Sequence, residues 1–245
     1  MLMKPLAILI TSALVALSNA ADVCADETAW TFHGALVGWG AGSQGSVHVA
    51  GQTASADRDL SDVLSAARLG GQIHLEGSRG DVGFVADLFY LDLQERFETR
   101  FADVDVGFRE VMAEAGMTYR IWSGGGTDVA LQAGAHYTRV QSTAELLGFE
   151  LIDERHRWID PCLGARSKHR LTERSALTLA ATAGGHSGSR LFTGLAHVSY
   201  RVTDRVALVL GYALHSARYT QGRGRDRFEY DVRREGIFFA TDYRF

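Results

Sequence analysis

The chain has 245 residues, with 27 Gly, 2 Pro and 2 Cys, 10% aromatics and a formal net charge of −4. That length suits one sizeable domain. Lys and Arg are scattered along it, which excludes nucleic acid as a partner. No CxxC, HExxH, P-loop or GxSxG spacing appears, so the sequence implies no cofactor and no metal.

Met1-Leu2-Met3-Lys4 makes a short basic start, followed by mostly apolar residues from Leu6 to Leu17 and then Ser18-Asn19-Ala20-Ala21. These are the parts of a secretory signal peptide, expected over residues 1–21. The apolar stretch is shorter than the roughly 20 residues of a spanning helix. Residues 22–245 then form a single domain. Cys24 and Cys162 either pair in an oxidising compartment or stand as free thiols.

Alternating segments of about ten residues follow, each holding its apolar side chains on one parity. They run over 29–39 (Trp30, Phe32, Leu36), 69–77 (Leu69, Ile73, Leu75), 82–92 (Phe84, Leu88, Tyr90), 106–120 (Val111, Met117, Tyr119) and 128–139 (Val129, Leu131, Tyr137). The series continues over 157–169 (Ile159, Leu163), 175–186 (Leu177, Leu179), 191–202 (Phe192, Val198, Tyr200) and 205–219 (Leu208, Leu210, Tyr212). The last segment, 229–245, carries Ile237, Phe239, Thr241, Tyr243 and Phe245 on one face and Ala240, Asp242 and Arg244 on the other. The pattern predicts an all-β, transmembrane, antiparallel up-and-down barrel of about ten strands, with eight as the alternative count.

The connections support this. Four are tight: Gly77-Ser78-Arg79-Gly80-Asp81, Ser123-Gly124-Gly125-Gly126-Thr127, Leu171-Thr172-Glu173-Arg174 and Val202-Thr203-Asp204-Arg205. They alternate with longer ones over 40–68, 93–105, 140–156 and 220–228, the 186–189 link excepted. Short turns on one side and long loops on the other are the habit of such barrels. Within the first long loop, 59–67 reads as a short capped helix, apolar at Leu60, Val63, Leu64 and Ala67. Trp30, Trp39, Tyr90, Tyr119, Trp122, Tyr137, Trp158, Tyr200, Tyr219, Tyr243 and Phe245 sit near strand ends, as interfacial girdles do.

The ending, with Phe245 last and Tyr243 two before it, resembles the C-terminal signal strand of bacterial outer-membrane barrels. Further stretches resemble small outer-membrane barrels of the OmpW and porin-like group. They are Asp59-Leu60-Ser61-Asp62-Val63-Leu64, Asp87-Leu88-Phe89-Tyr90-Leu91-Asp92-Leu93, Trp158-Ile159-Asp160-Pro161 with Gly164-Ala165-Arg166, Asp204-Arg205-Val206 leading to Leu210-Gly211-Tyr212, and Phe228-Glu229-Tyr230-Asp231-Val232-Arg233. The resemblance implies an outer-membrane location and an assembly signal at Tyr243 and Phe245. It also implies the barrel assembly machinery, outer-membrane lipids and lipopolysaccharide as partners. Cys162 and Lys168 depart from its strand pattern.

The opposite parity carries Glu76, Asp87, Glu110, Glu114, Asp160, Arg166, Lys168 and Arg201. Facing a lumen, these charges need one another, and Glu110 and Glu114 are expected to pair with Arg166, Lys168 or Arg201. A ten-strand lumen is narrow, which leaves a structural role or a narrow polar channel. Two further readings are a hydrolase and a surface-binding barrel whose basic loop, Arg223-Gly224-Arg225-Asp226-Arg227, touches lipopolysaccharide. A hydrolase would use His186 with Ser187 or Ser189, or His215 with Ser216. His215 and Ser216 are adjacent on a strand and face opposite sides. Neither site shows an acid partner along the sequence, so no enzymatic activity is expected.

Overall fold

The computed structural model describes residues 29–49, 52–55, 57–59, 62, 67–98, 103–146, 149–224 and 227–245. The first half of the chain gives β1 (Thr31–Val49), β2 (Gln52–Ser55), β3 (Ala67–Arg79), β4 (Val82–Glu98), β5 (Asp103–Gly124) and β6 (Thr127–Leu146). The second gives β7 (Phe149–Arg170), β8 (Ser175–Gly184), β9 (Ser189–Arg201), β10 (Val206–Gln221) and β11 (Phe228–Arg244). Each long strand pairs antiparallel with the next, and β11 returns to β1 to close a barrel of ten strands. The short β2 folds back on the outer end of β1.

The closing seam is long, running from His33 opposite Arg244 to His48 opposite Glu229. The last residue takes part, since the Phe245 amide donates to the Phe32 carbonyl at 3.0 Å. Glycine matters on this seam, as at Gly38. The Phe239 ring lies over Gly38, its cross-strand partner, where a Cβ would fall 2.5 Å from ring carbon Cζ. Gly125 and Gly126 form the two-residue turn between β5 and β6 with φ of +59° and +77°, the pair of positive values that a type I′ hairpin turn requires. The turns after β7 and β9 repeat one device. Thr172 and Thr203 accept backbone amides two and three residues on through Oγ1, at 3.0–3.2 Å, a side chain standing in for a turn carbonyl.

Burial is inverted relative to a water-soluble domain. Leu163 is 70% exposed and Phe239 67%, while their interior neighbours Glu110, Asp160 and Tyr230 are at 0%. Apolar side chains outside and charges inside belong to a barrel whose outer surface faces lipid. On β6 the outward residues from Val129 to Tyr137 span about 20–25 Å once strand tilt is included, matching the apolar belt of such barrels.

Two expectations need correction. The loops over 40–68, 93–105 and 140–156 are largely strand: β1 continues to Val49, β4 to Glu98 and β6 to Leu146, and β7 starts at Phe149. Above the belt both faces are wet, so the apolar alternation stops while the hydrogen-bonded ladder goes on. Trp39, Trp158 and Tyr219 do not belong to an outer girdle. Trp158 and Tyr219 are buried in the lumen, and Trp39 packs edge-on against the inward-facing Phe89 at 6.0 Å. Trp158 has the parity of Asp160, and near a strand end parity decides orientation. The helix read over 59–67 falls mostly outside the described residues, and Ala67 is already the first residue of β3. The signal peptide and Cys24 also lie outside them. Cys162 is a free thiol buried in the lumen.

If the belt faces lipid, Leu163→Arg, at mid-belt on β7, will cost about 2–4 kcal/mol in reversible unfolding from lipid vesicles. A loss of a few tenths, as at an ordinary wet surface, would contradict a lipid-facing belt.

Candidate functional site: the lumen and its outer rim

Inward side chains fill the barrel in tiers. At the turn end, a cavity of about 640 Å³ opens between β7, β8, β9 and β11. Its lining includes Lys168, Arg170, Arg201, Arg244, Asp128 and Asp242. His33 faces Asp242 at 3.4 Å, and the Arg201 guanidinium donates to the Glu173 carbonyl. Lys168 and Arg201, expected to face the lumen, sit at its mouth.

Above this lies a tier bridged across the barrel. Arg166 on β7 reaches Glu76 on β3 at 2.5 Å. His74 Nδ1 lies 3.0 Å from Asp87 Oδ1, which also accepts from the Gln72 amide at 3.0 Å. His74 and Asp87 are direct cross-strand partners. The next tier repeats the pattern one hairpin on. Glu114 accepts from the Gln132 amide at 2.6 Å and faces its cross-strand partner His136 at 3.4 Å. The His136 ring lies 5.5 Å from that of His215.

The outer half of the lumen is packed with buried side chains. Arg234 Nη2 lies 2.5 Å from Glu110 Oε2. The Tyr230 hydroxyl donates to Glu110 Oε1 at 2.6 Å and accepts from Arg234 Nη1 at 3.3 Å. All three residues are buried, so each charge meets a partner where water does not reach. Aromatic rings cap the triad. Trp158 stacks on Tyr219 at 4.4 Å with planes 5° apart, His156 stacks on Phe228 at 3.6 Å, and Tyr230 lies 5.4 Å from Trp158. Val140, Cys162, Leu191 and Val232 complete this cluster.

The charges read onto the inward parity are paired otherwise than expected. Glu110 takes Arg234, and Glu114 takes Gln132 and His136, instead of Arg166, Lys168 or Arg201. Arg166 is engaged by Glu76. Arg234 could have been found by stepping back in twos from Arg244 along the inward parity of β11. Its partner could not, because 124 positions separate Glu110 from Arg234.

The rim holds a pair that sequence reasoning missed. Asp160 Oδ1 accepts from His186 Nδ1 at 2.8 Å, and Asp160 Oδ2 accepts from the Trp158 indole at 3.1 Å. Asp160 is fully buried and the His186 ring is 39% exposed. The absence of an acid near His186 is therefore corrected. The register that sets Cys162 opposite Gly184, carried two residues outward, brings Asp160 to His186. Ser189 is no obvious partner for this imidazole, since its hydroxyl donates to the Arg218 carbonyl at 3.3 Å. His215 and Ser216 lie on opposite faces of β10, as expected, with His215 buried.

No protein-family model matches the chain, and no curated protein matches it in sequence. Solved structures do. The outer membrane protease OmpT of Escherichia coli matches with a TM-score of 0.56 at 8% identity, over 91% of this chain and 99% of that one. Ail, the attachment invasion locus protein of Yersinia pestis, matches with a TM-score of 0.36 at 12% identity, over 88% and 99%. The translocator domain of the autotransporter NalP from Neisseria meningitidis matches with 0.43 at 9%, over 96% and 94%. At such identities the likeness is one of architecture, and the chain has the fold of the small outer-membrane β-barrels.

Proposed function

We propose that this chain is a bacterial outer-membrane barrel with a structural role, its lumen closed in the outer half, and not an open pore. The observation that carries this reading is the buried Glu110–Arg234–Tyr230 triad under the Trp158–Tyr219 stack. A continuous polar path would need these groups wet and apart. Here they are paired and capped by rings, and the polar space that remains lies at the turn end. The inverted burial and the apolar belt support a bilayer location. The fold shared with the outer membrane protease OmpT favours the outer membrane.

Purified protein in planar bilayers is expected to give no discrete conductance steps; steady steps from the unaltered chain would favour the narrow-channel reading instead. The closure is also a stability element. Arg234→Met strands the Glu110 carboxylate in a dry interior and is expected to cost about 3–5 kcal/mol of unfolding free energy in vesicles. Glu110→Gln combined with Arg234→Met should recover part of that loss.

One observation favours a second reading, a hydrolase at the rim. A buried carboxylate holding Nδ1 of a half-exposed imidazole fixes the tautomer that leaves Nε2 free as a base. No hydroxyl among the described residues bonds that imidazole, so a water would have to be the nucleophile. We expect no turnover of a nitrophenyl ester or of lipid A acyl chains above the blank. A rate that both His186→Ala and Asp160→Asn abolish, with the barrel still folded, would put the hydrolase first.

A further inference from the structure

Arginines are unevenly matched on the outside of the barrel, just beyond the apolar belt at the long-loop end. Among the described residues, seven on the strands project outward there: Arg109, Arg139, Arg155, Arg157, Arg190, Arg218 and Arg233. Four are matched. Arg109 reaches Asp92 at 3.2 Å, Arg155 reaches Asp153 at 2.8 Å, Arg233 reaches Glu235 at 2.6 Å, and Arg218 is bonded to Asp231. Among the described residues, Arg139, Arg157 and Arg190 have no ion-pair partner.

Two of the unmatched residues are neighbours. Arg139 on β6 and Arg157 on β7 are direct cross-strand partners in the ladder, which sets their Cα atoms about 4.5–5.5 Å apart with both side chains on one face. The pairs on either side give the level. The outward pair below is Tyr137 and Ile159, the top of the belt on these strands. The outward pair above is Gln141 and Arg155, and both side chains there bond Asp153, at 2.8 Å each. That bonding holds the Asp153 carboxyl below its ordinary pKa, first through the Gln141 amide and then through Arg155. Asp153 is thus committed to the upper row. The row at the membrane boundary keeps two bare guanidinium groups side by side.

Like charges directly opposite on a sheet destabilise it. An anion between them reverses the sign, and a guanidinium fork suits a tetrahedral phosphate through two parallel N–H donors. Position selects the source of that phosphate. Both arginines stand one outward step above lipid-facing Tyr137 and Ile159, at headgroup height.

We propose that Arg139 and Arg157 form a clamp for a phosphate of a phosphorylated glycolipid in the outer leaflet, holding the lipid against the β6–β7 face. This rests on the outer-membrane reading given above. Arg190, two strands further round, is opposite Arg218, whose charge Asp231 already answers, so it makes no second clamp.

The test is native mass spectrometry of the folded full chain in detergent, titrated with bis-phosphorylated lipid A, with the same lipid A stripped of both phosphates, and with inorganic phosphate. The wild type should retain the phosphorylated lipid. Arg139→Gln/Arg157→Gln should weaken retention about tenfold or more, on the scale of one lost charge-assisted contact. Arg139→Lys/Arg157→Lys should fall between the two, because charge survives and the fork does not. Arg79→Gln removes the same charge at the opposite end of the barrel and should change nothing. If the double Gln variant fails to fold, Arg157→Gln alone carries the comparison.

Equal retention by wild type and the Gln variant would overturn the clamp, as would equal retention of the stripped lipid. Displacement by inorganic phosphate at matched concentration would reduce it to a plain anion site and overturn it too. Membrane fractionation with heat-modifiable gel mobility reads the outer-membrane assignment separately. A folded barrel in the outer-membrane fraction that ignores Arg139 and Arg157 sinks the clamp alone, while absence from that fraction sinks the location.

Discussion

A β-strand in hydrocarbon has no water to satisfy its backbone, so an unpaired N–H or C=O there costs several kcal/mol. The rest of this molecule depends on that constraint. It demands that the last strand find the first, and β11 does so along nearly the whole of β1. Closure in turn dictates the alternation of every strand, because one parity must meet lipid and the other must meet the inside. The belt of Leu, Ile, Phe and Val and the charged interior are two faces of one requirement.

The interior then has its own electrostatic problem. Ten strands leave too little room for bulk water to solvate Glu76, Asp87, Glu110, Glu114 and Asp160, so each needs a donor within reach. The solutions are mostly local: His74 for Asp87 and His136 for Glu114 come from the facing strand of a hairpin. The exceptions, Arg166 to Glu76 and Arg234 to Glu110, cross the lumen. These two brace opposite walls of the barrel. At the rim the same need is met by His186, whose imidazole is half in water, and that joins the buried Asp160 to the outside.

The sequence carried the strand count and the alternation of the strands, because lipid on one face imprints a period of two on Leu163, Phe239 and their neighbours; Arg234, which shares that alternation on β11, was passed over. It was silent where that asymmetry ends. The upper parts of β4, β6 and β7 are strands with water on both sides, and nothing in their composition separates them from loops. Partners were equally hidden. Asp160 and His186 are 26 positions apart, and only the stagger between β7 and β8 brings them together. Trp158 shows how a general rule was outweighed: an aromatic near a strand end suggests a girdle, but the indole follows its parity inward to bond Asp160. The bare arginine row was readable in principle, since Arg139 and Arg157 share the parity of Tyr137 and Ile159, yet their adjacency needs the register.

The seam between β1 and β11 also bears on how the barrel is made. Every other long-strand pairing joins neighbours in sequence and can form as a hairpin soon after its turn appears. The seam joins residues about two hundred positions apart, His33 with Arg244 among them, which makes it the pairing of highest contact order and the slowest to form. Until it does, the growing sheet has two open edges, the features most prone to wrong pairing. Assembly therefore turns on a single late event, a zipping of β1 onto β11 that cannot begin before both strands have been delivered.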